Sequence, residues 1–142
     1  MSGRHSGSET FGWPVRVYWE DTDAGGIVFY ANYLKFFERS RTEWLRARGI
    51  NQQALREATG GMFVVGDARL RYLRSARLDD ELLVTTSLLE AGRASMTIHQ
   101  QALLTTPAGP VLLCEGTIRA GWVNAGSLKP ARIPQNILDS LT

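Results

Sequence analysis

The stretch that decides the fold runs from Trp13 to Leu34 and reads WPVRVYWEDTDAGGIVFYANYL. Apolar and polar residues alternate between Phe11 and Glu20, which is the pattern of a β-strand with one buried face. The acidic, glycine-rich block that follows, residues 21–26, predicts a loop. A long helix is predicted directly afterwards, over residues 30–48. The stretch therefore sets an acidic turn between a strand and the start of a helix.

The predicted helix carries aromatic and aliphatic residues at spacings of three and four, so most of its circumference is expected to be covered. Asn32 is the expected N-cap, and Gly49 is the expected signal that ends the helix. Glu38 and Arg41 stand three residues apart, which favours a salt bridge on the helix surface. A helix of this kind is expected to lie against other elements over much of its length.

Beyond a short second helix predicted at residues 51–59, the hydrophobic period changes to two, which is typical of strands. Four strands are expected, at residues 62–73, 82–88, 95–105 and 111–124. A short amphipathic segment follows at residues 136–141. On the last strand, alternate residues from Leu112 to Trp122 are expected on the inward face. The segregation of the strands from one long helix predicts the α+β class. One helix leaves sheet edge and apolar surface uncovered, which predicts self-association.

Length and composition fit one globular domain at residues 11–142, behind a leader at residues 1–10 that is expected to be disordered. No apolar stretch approaches the roughly 18 residues of a membrane span, so no membrane insertion is expected. Cys114 is the single cysteine, which excludes an internal disulfide framework and favours a reducing, cytoplasmic location. The net charge of +2 is weak for a nucleic-acid binder. Only Lys35 and Lys129 among the 16 basic residues are lysines, and the rest are arginines. Arginine prefers planar, bidentate partners such as phosphates, so the basic residues fit contacts to one phosphorylated small molecule better than a nucleic-acid surface.

Nucleophiles and metal ligands are scarce, since His5, His99 and Cys114 are the only histidines and cysteine. A metal site would need more such ligands at close spacing, so neither metal nor cofactor is expected. A Cys–His nucleophile pair would require Cys114 beside His99 on neighbouring strands. A lone cysteine on an apolar strand face is usually a buried hydrophobic residue instead. The acidic loop is therefore the main candidate site.

Three interpretations of the acidic loop compete. As a calcium loop starting at Asp21, it lacks the side-chain oxygen of the fifth position and the bidentate Glu of the twelfth. As a structural turn, Asp21 or Asp23 would accept hydrogen bonds from neighbouring amides. As a catalytic turn, Asp23 would supply a nucleophilic or proton-accepting carboxylate, and free amides at residues 30–32 would stabilise a developing oxyanion. Gly25 and Gly26 would let a substrate approach the backbone without obstruction.

The quoted stretch, extended by Phe37-Glu38-Arg39-Ser40-Arg41-Thr42-Glu43, closely resembles the 4-hydroxybenzoyl-CoA thioesterase family of hotdog proteins. It is most similar to the branch of Tol–Pal-associated, YbgC-like acyl-CoA thioesterases. The similarity continues through residues 63–65, 76–80 and 128–130, and it covers roughly residues 11–140. Its most specific part is the Asp-Thr-Asp-Ala-Gly-Gly block at residues 21–26.

The resemblance implies a hotdog fold, in which a curled antiparallel sheet wraps the long helix. It also implies a homodimer or homotetramer whose active sites are shared between subunits. The implied reaction is hydrolysis of an acyl-CoA thioester to free acid and CoA, with Asp23 as the catalytic carboxylate and the amide of Tyr30 in the oxyanion site. YbgC-like members often carry a His at the position of Ala31, so the implied mechanism here runs without that proton shuttle.

Seven residues are candidates for substrate binding. These are Gly25, Gly26, Ala31, Met62, Phe63, Arg93 and Lys129. Arg93 and Lys129 stand where related enzymes place basic residues on CoA phosphates, and each is otherwise a solvated surface charge. Met62 and Phe63 are candidates for the acyl pocket. Glu38 lies on the helix where some hotdog enzymes place a catalytic carboxylate, although its salt bridge is the favoured interpretation.

Two other functional classes stay open at this point. One is a hotdog module that binds acyl carrier protein or a cell-envelope partner without important catalysis. The other is a hotdog dehydratase or hydratase, but those enzymes use a His with an acid, and no His lies near the loop in sequence. Activity on a panel of acyl-CoA thioesters distinguishes the enzyme from the binding module.

Overall fold

The computed structural model describes residues 9–142, so most of the predicted leader lies outside the described residues. The strands are β1 (Phe11–Arg16), β2 (Gly61–Tyr72), β3 (Glu81–Ala91), β4 (Ser95–Leu104) and β5 (Val111–Asn124). The helices are α1 (Tyr33–Ala47), α2 (Gln52–Thr59) and α3 (Gln135–Leu141). All five strands pair antiparallel in one sheet, in the order β1-β3-β4-β5-β2, and α1 packs against β1, β3 and β4. This arrangement confirms the predicted α+β class.

Helix α1 lies on the inner face of the sheet through its aromatic residues. Phe36 and Phe37 are fully buried in one apolar cluster with strand residues such as Val84. Trp44, two turns further along, belongs to a second cluster with Ile98 and its neighbours. Burial of each large side chain stabilises the fold by about 1.5–3 kcal/mol. In the described part of the chain, no helix is long and apolar enough to cross a membrane.

A buried polar network fixes the position of α1 on the sheet. Ser40 Oγ donates a hydrogen bond to Val84 O (2.8 Å) and lies 2.9 Å from Thr86 Oγ1. Gln100 Nε2, on β4, donates to Phe37 O (2.9 Å) and to Thr86 Oγ1 (2.8 Å). Polar groups buried in this way are costly unless they are paired, so the network favours one register of helix on sheet.

The predicted inward residues of β3 and β4 are confirmed, because alternate residues from Leu82 to Leu88 and from Met96 to Ala102 are buried. On β5 the prediction is wrong at the start of the strand, where Leu113 is buried and Leu112 only partly so. The ladder to β4 shifts register at this point. Leu113 is therefore the extra residue of a β-bulge, which turns it inward.

The first strand is shorter than predicted. β1 has six residues, and the chain then forms a 3₁₀ turn at Trp19–Asp21. Val17 is buried as expected, but Trp19, expected on the same face, is 73% exposed. The carboxylate of Asp21 causes the change of direction, since its Oδ2 accepts a hydrogen bond from the Tyr18 backbone N–H (2.9 Å).

The two ends of α1 differ in how well the sequence predicted them. Gly49 follows the helix with a φ of +81°, and its N–H donates to Arg46 O (3.0 Å), which confirms the C-terminal signal. The N-cap prediction is wrong. Asn32 has helical dihedral angles because the 3₁₀ turn Tyr30–Asn32 leads directly into α1, and its side chain caps no helix amide. Its Nδ2 instead donates to Asp21 O (2.7 Å).

The predicted salt bridge between Glu38 and Arg41 is also wrong. Glu38 Oε2 accepts a hydrogen bond from Thr42 Oγ1 (2.6 Å), one turn further along the helix. Arg41 Nη1 donates to Gln100 Oε1 on β4 (3.1 Å). Burial lowers the pKa of Arg41, and the negative charge of Glu38 opposes that shift. Arg41 therefore points into the molecule rather than along the helix surface.

Candidate active site

The predicted acidic loop folds as a hairpin in which Thr22 and Val28 pair across an antiparallel bridge. Asp23 N donates to Ile27 O (2.9 Å), and Gly26 N donates back to Asp23 O (3.0 Å). Gly26 has a φ of +78°, which lies in the left-handed region that glycine adopts without strain. The second glycine of the block is thus required by the turn itself.

Asp23 holds its carboxylate at the surface, at the tip of this hairpin. Its Oδ1 accepts a hydrogen bond from Gly25 N (2.8 Å), whereas Oδ2 receives none from residues 9–142. A Cβ added to Gly25 would lie 3.3 Å from Oδ1, so glycine keeps this side of the carboxylate open. A carboxylate with one oriented and one free oxygen is suited to attack a carbonyl or to accept a proton from water.

Asp21, two residues earlier, has a structural role. It is 3% exposed, and its Oδ2 accepts from Tyr18 N. Its backbone oxygen accepts from Asn32 Nδ2 (2.7 Å) and from Phe29 N (3.3 Å). The structural-turn interpretation therefore applies to Asp21, while Asp23 orients one amide and leaves its carboxylate accessible.

The helix start supplies two free backbone donors. In the 3₁₀ turn the first internal bond runs from Asn32 N to Phe29 O (2.8 Å). The N–H groups of Tyr30 and Ala31 precede that bond and have no acceptor in the described part of the chain. Because the turn continues into α1, these N–H groups form the positive end of the helix dipole. Of the amides expected to be free at residues 30–32, those of Tyr30 and Ala31 have no acceptor within residues 9–142, whereas that of Asn32 is bonded to Phe29 O.

An aromatic wall borders these amides. The ring of Tyr30, which is 60% exposed, lies 4.8 Å from that of Phe29 and 5.5 Å from that of Tyr72, measured between centroids. Tyr72 in turn lies 5.8 Å from the buried ring of Tyr33. The end of β2 therefore supports the helix start through ring contacts.

The hairpin is also anchored to the segment between β2 and β3. Val28 N donates to Ala76 O (2.8 Å), and Leu78 N donates to Gly26 O (3.1 Å). Ile27 pairs with Arg77 in an isolated bridge. These contacts hold the turn against the main sheet, as a site that positions a carboxylate requires.

Arg93 and Lys129 each stand next in sequence to a residue of one cleft, on the opposite face of the sheet from α1, but neither lines the cleft itself. Their chain neighbours Ala94 and Pro130 line this cleft, which has a volume of about 310 Å³, together with Arg119. All three cations are exposed, and none makes an ion pair within residues 9–142. Arg119 was not predicted as a site residue; it lies on the outer face of β5, between the buried residues Ile118 and Ala120.

Met62 and Phe63 lie on opposite faces of β2. The Phe63 ring packs edge to face on Trp122, with centroids 5.0 Å apart. It lines a cavity of about 140 Å³ beneath α1, with Glu38 and Arg41 among the other lining residues. Met62, the preceding residue on the strand, projects to the other side. Within one chain, only Phe63 of this pair faces the helix.

The thiol and the imidazole do not form a nucleophile pair. Cys114 is buried on the inner face, and burial raises the pKa of its thiol to about 12. His99 lies on the outer face, where its Nε2 is 3.2 Å from Glu115 Oε1. Arg71 donates a hydrogen bond to the other oxygen of Glu115. The bond from Arg71 and, to a smaller extent, the bond from His99 lower the pKa of the Glu115 carboxyl. No cluster of three or more metal-ligating side chains occurs between residues 9 and 142.

Known thioesterases resemble this chain in sequence and in structure. Residues 17–141 match the model of the thioesterase-like superfamily. An acyl-CoA thioesterase YbgC from Haemophilus influenzae is 41% identical over 127 residues, which are 89% of this chain and 90% of that protein. A probable thioesterase from Bartonella henselae superposes with a TM-score of 0.78 at 30% identity, over 89% of this chain and all of that one.

The fold also matches a 4-hydroxybenzoyl-CoA thioesterase from a Pseudomonas species, with a TM-score of 0.81 at 21% identity, over 92% of this chain and 98% of that one. The similarity to this enzyme shows the hotdog fold alone. Because the family model matches residues 17–141 and a relative is 41% identical over most of both chains, the chain belongs to the thioesterase-like superfamily of hotdog proteins.

Proposed function

We propose that the protein hydrolyses acyl-CoA thioesters to free acid and CoA, with Asp23 and the helix-start amides as its catalytic groups. The observation that carries the proposal is the exposed Asp23 carboxylate, held at a glycine turn of the hairpin that leads directly into the free N–H groups of Tyr30 and Ala31. Acyl transfer needs these two parts, a nucleophile or base and donors for the oxyanion. The relative named acyl-CoA thioesterase, 41% identical over most of both chains, supports the same reaction.

Two routes fit these groups. In the nucleophilic route, an Asp23 oxygen attacks the thioester carbonyl, CoA leaves as the thiolate, and water hydrolyses the resulting anhydride. In the general-base route, Asp23 takes a proton from a water that attacks the carbonyl, and the proton passes to the departing sulfur. In both routes the amide of Tyr30 donates to the carbonyl oxygen as negative charge develops there. Ala31 offers no side chain for proton transfer, so bound water carries the proton to the leaving group.

The two ends of the substrate meet different parts of the surface. Arg93 and Lys129 bind the phosphates of CoA, and Arg119 in the cleft between their neighbours adds a third cation. Gly25 and Gly26 leave room beside the thioester. Met62 and Phe63 contact the acyl group, and because they face opposite ways on β2, they belong to different walls of the pocket.

We further propose that the working form is a homodimer or homotetramer in which subunits share sites. The strands at the two edges of the sheet support this assembly. β1 is six residues long and carries Pro14, which cannot donate to an added strand. β2 is twelve residues long, contains no proline, and leaves Val64 and Val65 at least 40% exposed. The free edge of β2 is therefore the better surface for a second copy.

A cytoplasmic location and an association with the Tol–Pal system complete the proposal. The single, buried Cys114 is typical of proteins of a reducing compartment. The Tol–Pal assignment rests on the resemblance to YbgC-like enzymes. Acyl carrier protein is the proposed protein partner, because it presents a thioester of the same pantetheine type.

The test is an assay of purified protein over short, long and aromatic acyl-CoA thioesters, with liberated CoA as the readout. Asp23→Asn is expected to lower kcat by at least about a hundredfold and to leave the fold intact. Asp139→Asn is the matched control, since Asp139 is an exposed carboxylate on α3 whose one side-chain bond within residues 9–142 is to Gln135. Near-normal turnover of Asp23→Asn contradicts the assignment. A wild-type protein inactive on every thioester favours the binding module.

A further inference from the structure

The backbone oxygen of Asp21 joins the two halves of the proposed site. It accepts a 2.7 Å hydrogen bond from Asn32 Nδ2, at the helix start, and a 3.3 Å bond from Phe29 N. We propose that Asn32 is a positioning residue, which holds the Asp23 carboxylate and the Tyr30 amide at the separation that the reaction requires. The inference rests on the proposed function and adds a residue to it.

The bond from Asn32 is the stronger of the two links. A distance of 2.7 Å lies at the short end of the range for N–H···O bonds, whereas 3.3 Å lies beyond it. The acceptor has little freedom to move in response, because the side chain of Asp21 is buried and bonded to Tyr18 N. The helix start is therefore fastened to the residue that stands two positions before Asp23.

The remaining contacts of the hairpin do not replace this link. Thr22 pairs with Val28, and Asp23 N bonds Ile27 O, so these bonds close the hairpin upon itself. These bonds do not reach the 3₁₀ turn, which begins beyond Phe29. The other path from the hairpin to the helix start is indirect, because it runs through Ala76, whose O and N bond Val28 N and the Tyr33 hydroxyl. The side chain of Asn32 closes the larger ring from residue 21 to residue 32. Loss of this closure lets the two catalytic parts shift, and a displacement of about 1 Å costs about a hundredfold in rate.

The usual role of such an asparagine is absent here. Asn32 precedes α1 but makes no side-chain cap, and its backbone is already helical. Asn51 provides the contrast, since it precedes α2 with an extended backbone and its Oδ1 accepts from Ala54 N (3.0 Å). The two asparagines stand at equivalent places in the sequence pattern, yet Asn32 donates away from its own helix.

The test compares Asn32→Leu with Asn51→Leu, which also loses one hydrogen bond but lies away from the hairpin. Asn32→Leu is expected to lower kcat about ten- to a hundredfold with KM changed less than about threefold, and Asn51→Leu to leave both near wild type. In the Asp23→Asn background, Asn32→Leu is expected to cause little further loss, because the misplaced group is already absent. A merely structural defect would lower activity by the same factor in both backgrounds, and that result would overturn the inference.

Hydrogen exchange supplies a readout that does not depend on turnover. Asn32→Leu is expected to raise exchange at the amides of Asp23 and Phe29 about fivefold or more, with the strands unchanged. Unchanged exchange in residues 21–29 contradicts the positioning role even if the wild-type enzyme proves inactive. Conversely, a wild type that hydrolyses thioesters, loses activity in Asp23→Asn and keeps it in Asn32→Leu refutes this inference alone.

Discussion

The hydroxyl of Tyr33, the first residue of α1, accepts a hydrogen bond from the backbone N–H of Ala76 over 2.9 Å. Ala76 O in turn accepts from Val28 N (2.8 Å), so one buried residue links the helix start to the hairpin that carries Asp23. Burial is the main cause that raises the pKa of Tyr33, and the hydroxyl stays protonated across the usual assay range. This single side chain therefore braces two elements of the proposed site.

Tyr33→Phe is expected to destabilise the protein by about 1–3 kcal/mol, because it leaves the buried N–H of Ala76 without an acceptor. The free energy of unfolding from urea titration measures the change. Tyr18→Phe is the matched control, since the Tyr18 side chain is 61% exposed, and its effect is expected to stay within about 0.5 kcal/mol. Equal stability of Tyr33→Phe and wild type contradicts the brace.

Cys114 is expected to be inert towards thiol reagents in the folded protein. Burial raises the pKa of its thiol from 9.0 to about 12, and the charge of Glu115 adds to the shift. At about pH 8 the thiolate fraction is then about a thousandfold below that of an ordinary cysteine. The reactivity of the thiol is measured as the rate of disulfide exchange with an aromatic disulfide, for the folded protein in buffer and for the unfolded protein in guanidinium chloride. Rapid reaction without unfolding contradicts both the burial and the exclusion of a cysteine nucleophile.

Much of the fold followed from hydrophobic periodicity, and the errors have local physical causes. Spacings of three and four predicted α1, and a period of two predicted the inward residues of β3 and β4. The bulge at Leu113 was missed because a register shift depends on the partner strand, which sequence spacing does not show. The early end of β1 was missed because Asp21 turns the chain through a bond to Tyr18, and no periodicity encodes that bond.

The candidate site was predicted in part. The Asp-Thr-Asp-Ala-Gly-Gly block located the turn, and the helix start located the free amides of Tyr30 and Ala31. The partner of Asn32 was missed because a residue before a helix usually caps that helix, whereas this one reaches eleven residues back to Asp21. Met62 and Phe63 were both predicted for the acyl pocket, although strand alternation puts two consecutive residues on opposite faces of a sheet.

Glu115 is expected to contribute stability that depends on pH. Its pKa is lowered, first by the hydrogen bond from Arg71 and then by that from His99. A carboxyl with a lowered folded pKa stabilises the fold above its unfolded value of 4.5, and the contribution is lost as the pH falls through the lower folded value.

The difference in Tm between wild type and Glu115→Gln is therefore expected to be present near neutral pH and to shrink below about pH 4.5. Glu90→Gln is the control, since Glu90 is exposed and makes no ion pair within residues 9–142. A difference in Tm that is constant from about pH 7 to pH 3 contradicts the role of the charged Glu115.

Arg93 and Lys129 are expected to act on KM rather than kcat. Each neutral variant, Arg93→Gln or Lys129→Gln, is expected to raise KM for an acyl-CoA about three- to tenfold, because a phosphate contact at the surface is lost. An acyl-N-acetylcysteamine thioester carries no phosphate, and its KM is expected to stay unchanged. Salt is expected to reduce the difference, since it screens exposed charges.

Arg56→Gln is the matched control, because Arg56 is an exposed arginine on α2 away from the cleft. Its KM for acyl-CoA is expected to equal that of wild type. A similar rise in KM for all three variants points to general charge steering of the anionic substrate instead of local phosphate contacts.

The free edge of β2 is expected to join two copies of the chain. Sedimentation equilibrium is expected to give two or four times the 15.8 kDa of one chain. Val64→Lys is expected to weaken this assembly, because it places a charge on an apolar, 40% exposed position of the long edge strand. Leu89→Lys makes the same change at a 59% exposed position of β3 and is expected to leave the mass unchanged. If subunits share active sites, the specific activity of Val64→Lys falls on dilution as its subunits dissociate. A wild type that sediments as one chain at all concentrations refutes the assembly.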